Sequence, residues 1–401
     1  MPNEPIQVVP PPAPRRRELR DYTNVTPVRR THVDIPFLLL TLLLLAIGVM
    51  MVLSASFARA YSTMGNATYY FVRQLLFGLG GVVLMWLISR IPVSFFRTMS
   101  WPALLGSIAL LALVLVIGSD NDEDGVRRWI YIGSITFQPS EVAKLGLVMF
   151  FAMLIAKYGD KMKDFVHGVL PFGVVLGIIA FLLYKEPHLS ATVIMLTVGA
   201  VMMFVGGTRI WYFLAGFVVV FFAGKYLIEH MAYAANRIAV WKDPFGSGDA
   251  GWQIVQSLYA IGSGGFLGLG LGQSRQKYSY LPAEHNDYIF AVVCEELGLV
   301  GALLILLLFA LLIIRGYQLA MHARDRYSSM LITGIVTQLA VQVFLNVAVV
   351  TNFIPCTGIS LPFFSYGGTA LLMQMAEMGI ILSVSREIPV IKPGTGTLTL
   401  Q

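Results

Sequence analysis

The sequence predicts an all-α, polytopic integral membrane protein with about ten transmembrane helices and a large extracellular loop between helices 7 and 8. Of its 401 residues, 57% are hydrophobic and only 12% are charged, whereas an ordinary soluble domain has about 25% charged residues. Apolar runs long enough to cross a bilayer recur along the chain. One long polar, Gly-rich stretch interrupts these runs, and this stretch predicts the large loop.

Ten apolar runs have the length that a bilayer requires, and irregular backbone between them is expected outside the hydrocarbon layer or against protein. The predicted spans are 35–56, 71–90, 102–118, 138–157, 169–184, 188–206, 209–228, 287–314, 328–352 and 360–385.

Both ends of the chain are predicted to be cytoplasmic tails. Residues 1–34 are rich in proline and arginine and cannot build a core, so we expect a disordered basic tail there. Residues 35–386 form the membrane domain, and 387–401 form a second tail. Most of the 28 Lys and Arg residues fall in the segments that this topology places inside, as the positive-inside rule requires. The net charge of +6 therefore reflects topology, and no nucleic-acid partner is expected.

The same topology places the segment 229–286 outside the membrane. It contains the glycines Gly268, Gly270 and Gly272, which resemble a nucleotide-binding pattern, but no strand precedes them. Close approach of the backbone to a ligand or to a neighbouring helix explains these glycines better. The two cysteines, Cys294 and Cys356, lie in or beside apolar runs and predict neither a disulfide framework nor a cysteine metal site.

Asp287 is the leading catalytic candidate because it lies where the external loop becomes a transmembrane helix. A carboxylate at this boundary can reach both water and the membrane. The alternative is a helix cap, a role that suits Asn286 or Asp287. Glu295 and Glu296 follow inside the predicted helix, and acids inside a membrane are functional candidates by default.

The fourth predicted span carries a second polar group. Gln138, Glu141 and Lys144 share one helical face. Lys144 either neutralises Glu141 or contacts a substrate, and the sequence leaves both possibilities open. Arg128 and Trp129 precede this group in an external loop. More positive side chains lie on the same side, which suggests an anionic ligand there: Arg237, Lys242, Arg275 and Lys277.

Seven motifs give the chain a strong resemblance to the SEDS (shape, elongation, division and sporulation) family, most closely to its cell-division and sporulation branch. The resemblance runs from about Asp34 to Arg386. The motifs are Arg128-Trp129-Ile130, Gln138-Pro139-Ser140-Glu141 with Lys144, the run from Gly251 to Gly265, Gly270 to Lys277, Tyr280-Leu281-Pro282 with Asp287 to Phe290, Glu295 to Gly298, and Thr357 to Gly368.

The resemblance implies a peptidoglycan glycosyltransferase that polymerises lipid II on the outer face of a bacterial plasma membrane. It also implies a class B penicillin-binding protein as partner, together with other membrane proteins of the division complex, and a role at the septum. Asp287 matches the family's catalytic aspartate, and Trp129 and Lys144 match positions important for activity. His188 departs from the pattern, because relatives commonly have an aspartate there, so no role of that acid is carried over.

The implied reaction needs a base for the sugar hydroxyl and positive charge for the departing diphosphate. Asp287 is the predicted base. A divalent cation, Mg²⁺ or Mn²⁺, is expected to be shared with the substrate diphosphate, because the sequence shows no dedicated metal site. The residues predicted to contact substrate are Lys144, Trp129, Arg128, Glu141, Gln138, Glu295, Glu296, Arg275, Lys277, Ser257 and Gln256.

Two other functions remain open at this stage. A lipid II flippase would use the ionisable residues inside the membrane as part of a translocation path. A non-catalytic division scaffold would need Asp287 only as a helix cap. The clustering of polar motifs on the outer side favours the enzyme over the flippase, and retained cell growth with Asp287→Ala would favour the scaffold.

Overall fold

The structure is a computed structural model that describes residues 32–118, 128–133, 135–230, 232–278 and 280–388. Almost all of the two predicted tails, 1–34 and 387–401, lies outside these residues. The helices are α1 (Ile35–Met64), α2 (Tyr69–Ile88), α3 (Val93–Ile117), α4 (Pro139–Tyr158), α5 (Phe165–Gly168), α6 (Leu170–Lys185), α7 (Leu189–Val205), α8 (Ile210–His230), α9 (Ala232–Lys242), α10 (Trp252–Gly264), α11 (Ile289–His322), α12 (Arg326–Val350) and α13 (Gly368–Ser385), with 3₁₀ turns at Gly159–Lys163 and Gly248–Gly251.

The predicted all-α membrane fold is confirmed. Within the described residues, eight helical segments are long and apolar enough to cross a membrane, and the shorter apolar helices Leu189–Val205 and Ile210–Tyr226 accompany them. The exact number of ten spans stays a prediction. The only regular β-structure in the described part of the chain is a small antiparallel hairpin, with β1 (Ile130–Ile132) paired to β2 (Ile135–Phe137).

Local sequence signals explain where α1 begins and ends. The Oδ1 atom of Asp34 accepts a hydrogen bond from the Phe37 amide at 3.0 Å, which caps the first turn, and Pro36 occupies an early position where its missing N–H costs nothing. The helix ends at Gly65, whose φ of +66° is the left-handed conformation that glycine adopts without strain.

Two predicted helix starts were wrong. Helix α3 starts at Val93 instead of residue 102, because its first turns bury Val93, Phe96 and Ser100 against the protein and Pro102 lies inside the helix. Helix α13 starts at Gly368 instead of residue 360, because the preceding residues form an irregular segment. That segment is bonded to other parts of the protein, as the prediction for irregular backbone at this depth requires.

The predicted external loop is more ordered than its Gly-rich composition suggested, since it contains α9 and α10. Helix α10 places Ile254, Ser257, Ala260 and Gly264 on one buried face, a helical spacing that the polar residues between them obscured. This face packs against α11. Gly264 has to be small there, because a Cβ atom would lie 2.0 Å from the Cys294 carbonyl oxygen.

Helix α11 is broken at Gly298, where φ is +67° and ψ is −172°. The Gly265–Gly270 segment runs beside the break and satisfies its backbone. The amides of Leu299 and Val300 donate to the carbonyls of Gly265 and Phe266 at 2.9 and 3.1 Å. Close backbone approach, the predicted reason for the repeated glycines, is confirmed at Gly268, where a Cβ would lie 2.2 Å from the Glu296 carbonyl oxygen. At Gly270 and Gly272 the prediction was wrong, and the left-handed φ values of +103° and +81° favour glycine instead.

The core of the bundle is built around α4 and α12, and most residues of both helices are buried. They pack against each other and against α7, and α3 and α11 cover their other sides. Helix α12 carries a row of buried polar side chains on the face toward the core: Thr333, Thr337, Gln338, Gln342 and Asn346. Buried polar side chains in an apolar bundle cost free energy unless they form hydrogen bonds. The partners of this row therefore indicate where the candidate functional site lies.

Candidate active site

A cavity of about 520 Å³ opens at the end of the bundle where the sequence predicts the outer loops. The β1–β2 hairpin, the first turns of α4, α7 and α13, and the irregular segment before α13 surround it. Apart from four tyrosines, the ionisable side chains among the described residues that line it are four cations, two acids and one histidine: Arg73, Arg128, Lys144, Arg237, Glu141, Asp287 and His188. The excess of cations gives the cavity a positive field that favours an anionic ligand.

Six of the predicted site residues lie together in this cavity. They come from three places in the sequence, and the fold brings them to the walls of the same cavity. They are Arg128, Trp129, Gln138, Glu141, Lys144 and Asp287.

The backbone of Asp287 is held from the core side by α12. The side-chain amide of Asn346 donates to the Asp287 carbonyl at 2.8 Å and to the Ile359 carbonyl at 2.7 Å. Asn346 is fully buried, so this fork fixes the position of Asp287 relative to the irregular segment. Helix α11 begins at Ile289 after Tyr288, and no described side chain caps it. The geometry therefore does not support the helix-cap alternative for Asp287.

The irregular segment before α13 holds the same stretch from the other side. The Tyr366 amide donates to the His285 carbonyl at 2.8 Å, and the Ser365 hydroxyl donates to the Asn286 carbonyl at 2.8 Å. Gly358 approaches the carboxylate itself, since a Cβ there would lie 3.2 Å from Asp287 Oδ2, and its φ of +68° favours glycine. Asp287 is thus fixed by bonds to its backbone while its carboxylate faces the cavity.

The environment of Asp287 changes the affinity of its carboxylate for protons. Burial raises the pKa of Asp287, and the positive charges of Arg237 and Arg128, together with His285, partly oppose this rise. A carboxylate whose pKa is moved toward neutrality is a better proton acceptor for a hydroxyl group than an ordinary aspartate, because general bases work best when their pKa is close to the working pH.

Two arginines are anchored to backbone carbonyls at the edge of the cavity. Arg128 donates to the Pro187 carbonyl at 2.7 Å and to the Glu186 carbonyl at 3.4 Å. Arg237 of α9 donates to the Cys356 carbonyl at 2.6 Å. A carbonyl fixes the orientation of a guanidinium group without cancelling its charge, so both arginines keep their positive charge near Asp287.

Glu141 and Lys144 form an ion pair of 2.8 Å on the first turns of α4, and both side chains are buried in the cavity wall. The two alternatives for Lys144 therefore coexist, since the residue both pairs with Glu141 and lines the cavity. A buried pair of this kind contributes little net stability, but it holds an ammonium group in a defined place.

His188 lies between α4 and α7. Its Nδ1 atom accepts the Ala191 amide at 3.3 Å and so caps the start of α7, and its Nε2 atom lies 2.6 Å from the side-chain amide of Gln138. Burial lowers the pKa of His188 to about 3, with further lowering by Arg128 and Lys144. The imidazole is therefore neutral at physiological pH and leaves the positive charge of the cavity unchanged.

Four predicted site residues lie outside the cavity, in a compact group that we call the turn cluster: Arg275, Lys277, Glu295 and Glu296. Lys277 donates to Glu296 at 3.1 Å and to the Gly272 carbonyl at 2.6 Å. Glu295 accepts the Ser274 hydroxyl at 2.5 Å and the Arg275 amide at 3.0 Å. These side chains hold the turn after α10 against α11, and the structure does not place them where a substrate in the cavity could reach them.

Two further predicted residues also lie away from the cavity, on α10. The Ser257 hydroxyl donates to the Val350 carbonyl at 2.8 Å and so attaches α10 to the end of α12. Gln256 is buried beside it on the same helix. Their positions indicate a role in packing the external helix onto the bundle.

The cavity also contains functional candidates that the sequence analysis did not single out. Arg73 lies in the first turns of α2, and Gln342 and Gln374 face the cavity from α12 and α13. Gln342 and Gln374 each stand between apolar neighbours, and Arg73 is followed by Gln74 within an apolar run; a polar residue in such a run is a usable signal for a functional position in a membrane helix. Their convergence, however, depends on helix packing.

The donor atoms of the cavity fit a shared metal ion better than a resident one. In the described part of the chain, no group of three or more His, Cys, Asp or Glu side chains is arranged to hold a metal. Glu141 is engaged with Lys144, so Asp287 is the main remaining carboxylate. A divalent cation here would need further oxygen ligands from a substrate or from water.

Comparison with known proteins identifies the family. A family model described as "Cell cycle protein", which covers FtsW, RodA and SpoVE proteins, matches residues 35–389. This chain belongs to the FtsW/RodA/SpoVE family. The match covers nearly all of the described membrane domain, and it confirms the resemblance to SEDS proteins.

Individual members of the FtsW/RodA/SpoVE family are similar along almost their whole length. Stage V sporulation protein E of Bacillus subtilis is 41% identical over 368 residues, which cover 89% of this chain and 98% of that protein. A probable peptidoglycan glycosyltransferase FtsW of Trichlorobacter lovleyi is 39% identical over 363 residues, which cover 90% and 94% of the two chains. Both proteins match the cell-division and sporulation branch that the motifs predicted.

Solved structures of the family share the fold. A chain from a peptidoglycan synthase complex that coordinates polymerization and crosslinking has a TM-score of 0.74 at 26% identity, covering 88% of this chain and 98% of that chain. The rod shape determining protein RodA of Thermus thermophilus has a TM-score of 0.67 at 26% identity, covering 89% and 97%. The protein described here is thus a multi-pass membrane protein of this family.

Proposed function

We propose that this protein is a peptidoglycan glycosyltransferase that polymerises lipid II on the outer face of the bacterial plasma membrane during septal wall synthesis. The names of its relatives, including a probable peptidoglycan glycosyltransferase FtsW at 39% identity, support the activity. The substrate, the septal location and the cytoplasmic position of both termini are part of the proposal.

One observation carries the proposal: the half-buried carboxylate of Asp287, the cavity acid that is not paired with Lys144, faces a cavity that is otherwise rich in cations. Glycosyl transfer from a lipid-linked sugar needs this combination. The base takes the proton of a sugar 4-hydroxyl, the oxygen forms a bond to the anomeric carbon of a second sugar, and the bond from that carbon to the diphosphate breaks. The electron pair and negative charge leave with undecaprenyl diphosphate.

In this reaction Asp287 holds the proton that the hydroxyl loses. The cations of the cavity stabilise the negative charge of the diphosphate as it departs. Arg128 and Arg237 are oriented by backbone carbonyls, and Lys144 is held by Glu141. Preorganised charges of this kind need little reorganisation during the reaction. Trp129 offers an apolar ring surface in the same cavity.

A divalent cation, Mg²⁺ or Mn²⁺, is proposed as a cofactor that the substrate diphosphate shares with the protein. When bound, it would neutralise phosphate oxygens and so assist the departure of the leaving group. Asp287 is the residue of this chain best placed to contribute an oxygen ligand, because it lines the cavity and the other cavity acid is paired with Lys144.

The proposed partner is a class B penicillin-binding protein that crosslinks the new strands. The structural relative from a complex that coordinates polymerization and crosslinking supports a partner of this class. Other membrane proteins of the division machinery are proposed as further partners.

The decisive experiment uses purified protein with its partner transpeptidase, labelled lipid II and a divalent cation. Glycan strands are separated on a gel for the wild type and for Asp287→Asn. We expect polymer from the wild type and a loss of at least about 10²-fold in the variant, because proton transfer by a positioned group typically contributes about 10²- to 10⁴-fold.

The melting temperature of both proteins serves as the folding control. Normal polymer from a folded Asp287→Asn variant would contradict the role of Asp287. A wild-type protein that makes no polymer, but moves labelled lipid II across a vesicle membrane, would favour a flippase. A protein that does neither, while Asp287→Ala cells still divide, would favour a division scaffold.

A further inference from the structure

Gln74 is a fully buried polar residue of α2 that the proposed reaction does not use. Its side-chain amide binds the backbone of the irregular segment before α13. The Nε2 atom donates to the Ser365 carbonyl at 3.2 Å, and the Oε1 atom accepts the Gly367 amide at 3.4 Å. Both ends of the amide therefore hold one short stretch of backbone, residues 365–367.

The irregular segment depends on side chains of other elements for its shape. All of residues 351–367 are described, and they form neither a helix nor a strand. Within them, Phe363 has a φ of +64°, a left-handed conformation that is strained for a bulky residue and persists only where the surroundings enforce it. The Phe363 amide donates to Gln374 of α13 at 2.9 Å. Gln74 and Gln374 thus hold the segment from two helices that pack against each other.

The 365–367 stretch is also bonded to the backbone just before the candidate base. Two hydrogen bonds of 2.8 Å, from the Ser365 hydroxyl and the Tyr366 amide, join it to the carbonyls of the two residues that precede Asp287. A continuous series of hydrogen bonds therefore runs from Gln74 on α2 through this stretch to the approach to Asp287.

Helix α2 also contributes a cation to the cavity. Arg73, the residue before Gln74, lines the cavity together with Asp287. Because Arg73 and Gln74 are adjacent on one helix, the series of hydrogen bonds relates the position of the carboxylate to a helix that bears positive charge. Such relations matter for the rate, since misplacing a reacting group by about 1 Å can cost about 10²-fold.

We propose that Gln74 is a positioning residue that fixes Asp287 relative to the cations of the cavity. This inference rests on the proposed function. Gln74 acts through the 365–367 stretch and not by contact with substrate. Asn346 holds the Asp287 carbonyl from α12, and Gln74 supplies a second point of support from α2. A residue that is held at one point can turn about it, whereas two points of support fix its orientation.

The main test variant is Gln74→Met, which keeps the length of the side chain and removes both hydrogen bonds. KM and kcat are measured in the polymerisation assay. We expect kcat to fall about 30-fold while KM stays within about threefold, because a displaced base slows the chemical step and leaves the cations that bind the diphosphate in place. Hydrogen exchange, followed by mass spectrometry, should be faster than in the wild type in the peptides that cover 283–288 and 357–367.

Ser383→Ala is the matched control. Ser383 is buried on α13, and its hydroxyl donates to the Ile91 carbonyl just beyond α2. The variant therefore removes a buried side-chain bond between the same two parts of the fold, at the end away from the cavity. We expect a lower melting temperature with unchanged kcat and unchanged exchange in both peptides. An equal fall in kcat in Ser383→Ala would overturn the inference, because any loosening of α2 against α13 would then suffice.

Ser365→Ala keeps the inference testable even where Gln74→Met fails to fold. It leaves Gln74 in place and removes one of the two bonds to the residues before Asp287. We expect a lower kcat and faster exchange at 283–288. The double variant should lose no more activity than Gln74→Met alone, because residues that act through one series of bonds have non-additive effects. Effects that multiply would show that Gln74 and Ser365 act independently, which contradicts the inference.

The exchange measurement needs no catalytic activity, so it keeps this inference apart from the proposed function. A wild type that polymerises lipid II, with an unchanged kcat in folded Gln74→Met, refutes the role of Gln74 alone. Faster exchange at 283–288 in Gln74→Met, without polymer from any protein, supports positioning by Gln74 and refutes the transferase. Unchanged exchange at 283–288, again without polymer from any protein, refutes both.

Discussion

The cavity and the turn cluster contain the same kinds of side chain, yet they differ in what those side chains face. In the turn cluster, both oxygens of Glu296 accept the Ser54 hydroxyl at 2.7 Å, and Lys277 adds a bond at 3.1 Å. In the cavity, the Asp287 carboxylate faces open space while bonds hold its backbone. An acid whose carboxylate oxygens accept hydrogen bonds from the protein stabilises the fold. An acid that is held through its backbone keeps its carboxylate available for chemistry. An acid within a membrane helix therefore does not by itself indicate a catalytic site.

Replacement of Lys277 by methionine should break the turn cluster. It leaves Glu296 buried with hydroxyl and amide donors but without its cation, and loss of one partner from a buried ion pair typically costs about 3–5 kcal/mol. We expect a marked fall in the melting temperature of the purified protein, with activity per folded molecule retained because the cavity is untouched.

The double variant Lys277→Met with Glu296→Gln is the control, because it removes both charges and should recover part of the lost stability. An unchanged melting temperature together with lost polymerisation would contradict the comparison. It would return Lys277 and Glu296 to the substrate-binding residues that the sequence suggested.

Much of the fold could be predicted from the sequence because the bilayer imposes length and apolarity on each span. The helix pattern, the Asp34 cap and the glycine approach at Gly268 followed from local signals. The start of α3 did not, because Pro102 is normally a boundary and the amphipathic turns before it are bound by tertiary packing. The helices α9 and α10 of the external loop could not be predicted, because the Gly-rich composition of the loop favours irregular structure.

The candidate site was only partly predictable for a different reason. Asp287 and Lys144 were found from their positions in the chain and from motifs that match the family, Trp129 was found with its motif, and all three share one cavity. Spacing along the chain could not show that Glu295 turns away from this cavity toward the Ser274 hydroxyl. Nor could it show that Arg73, far from the others in sequence, joins them. Both outcomes depend on how the helices pack.

The pH dependence of polymerisation should sharpen the comparison, because it reports on the cavity acid. The base must be deprotonated, so the rate should fall as the pH is lowered through the pKa of Asp287. Burial raises this pKa, so the fall should occur at a higher pH than an ordinary aspartate pKa of about 3.9. The measurement is kcat/KM against pH at a constant salt concentration.

Stability should change with pH in the opposite direction to activity. A carboxyl group whose pKa is raised by folding favours the folded state most when it is protonated, and this contribution is lost as the pH rises from about 3.9 through the raised pKa. The wild type should therefore lose stability relative to Asp287→Asn over the same pH range in which it gains activity. An acid limb near pH 4, with no difference in stability between the two proteins, would contradict a buried base.

His188 should show the smallest effect, because it contributes to the cavity through a helix cap. Replacement by alanine removes the acceptor of the Ala191 amide and the contact with Gln138, and loss of an N-cap typically costs about 1 kcal/mol. Asparagine can replace the cap without adding charge, so His188→Asn should melt close to the wild type, whereas His188→Ala should melt lower.

Aspartate can also replace the cap, but it would place a negative charge beside the cations of the cavity. His188→Asp should therefore keep the melting temperature and raise the KM for lipid II. An unchanged KM would show that this wall of the cavity lies away from the diphosphate, and the neutral imidazole would then serve the fold alone.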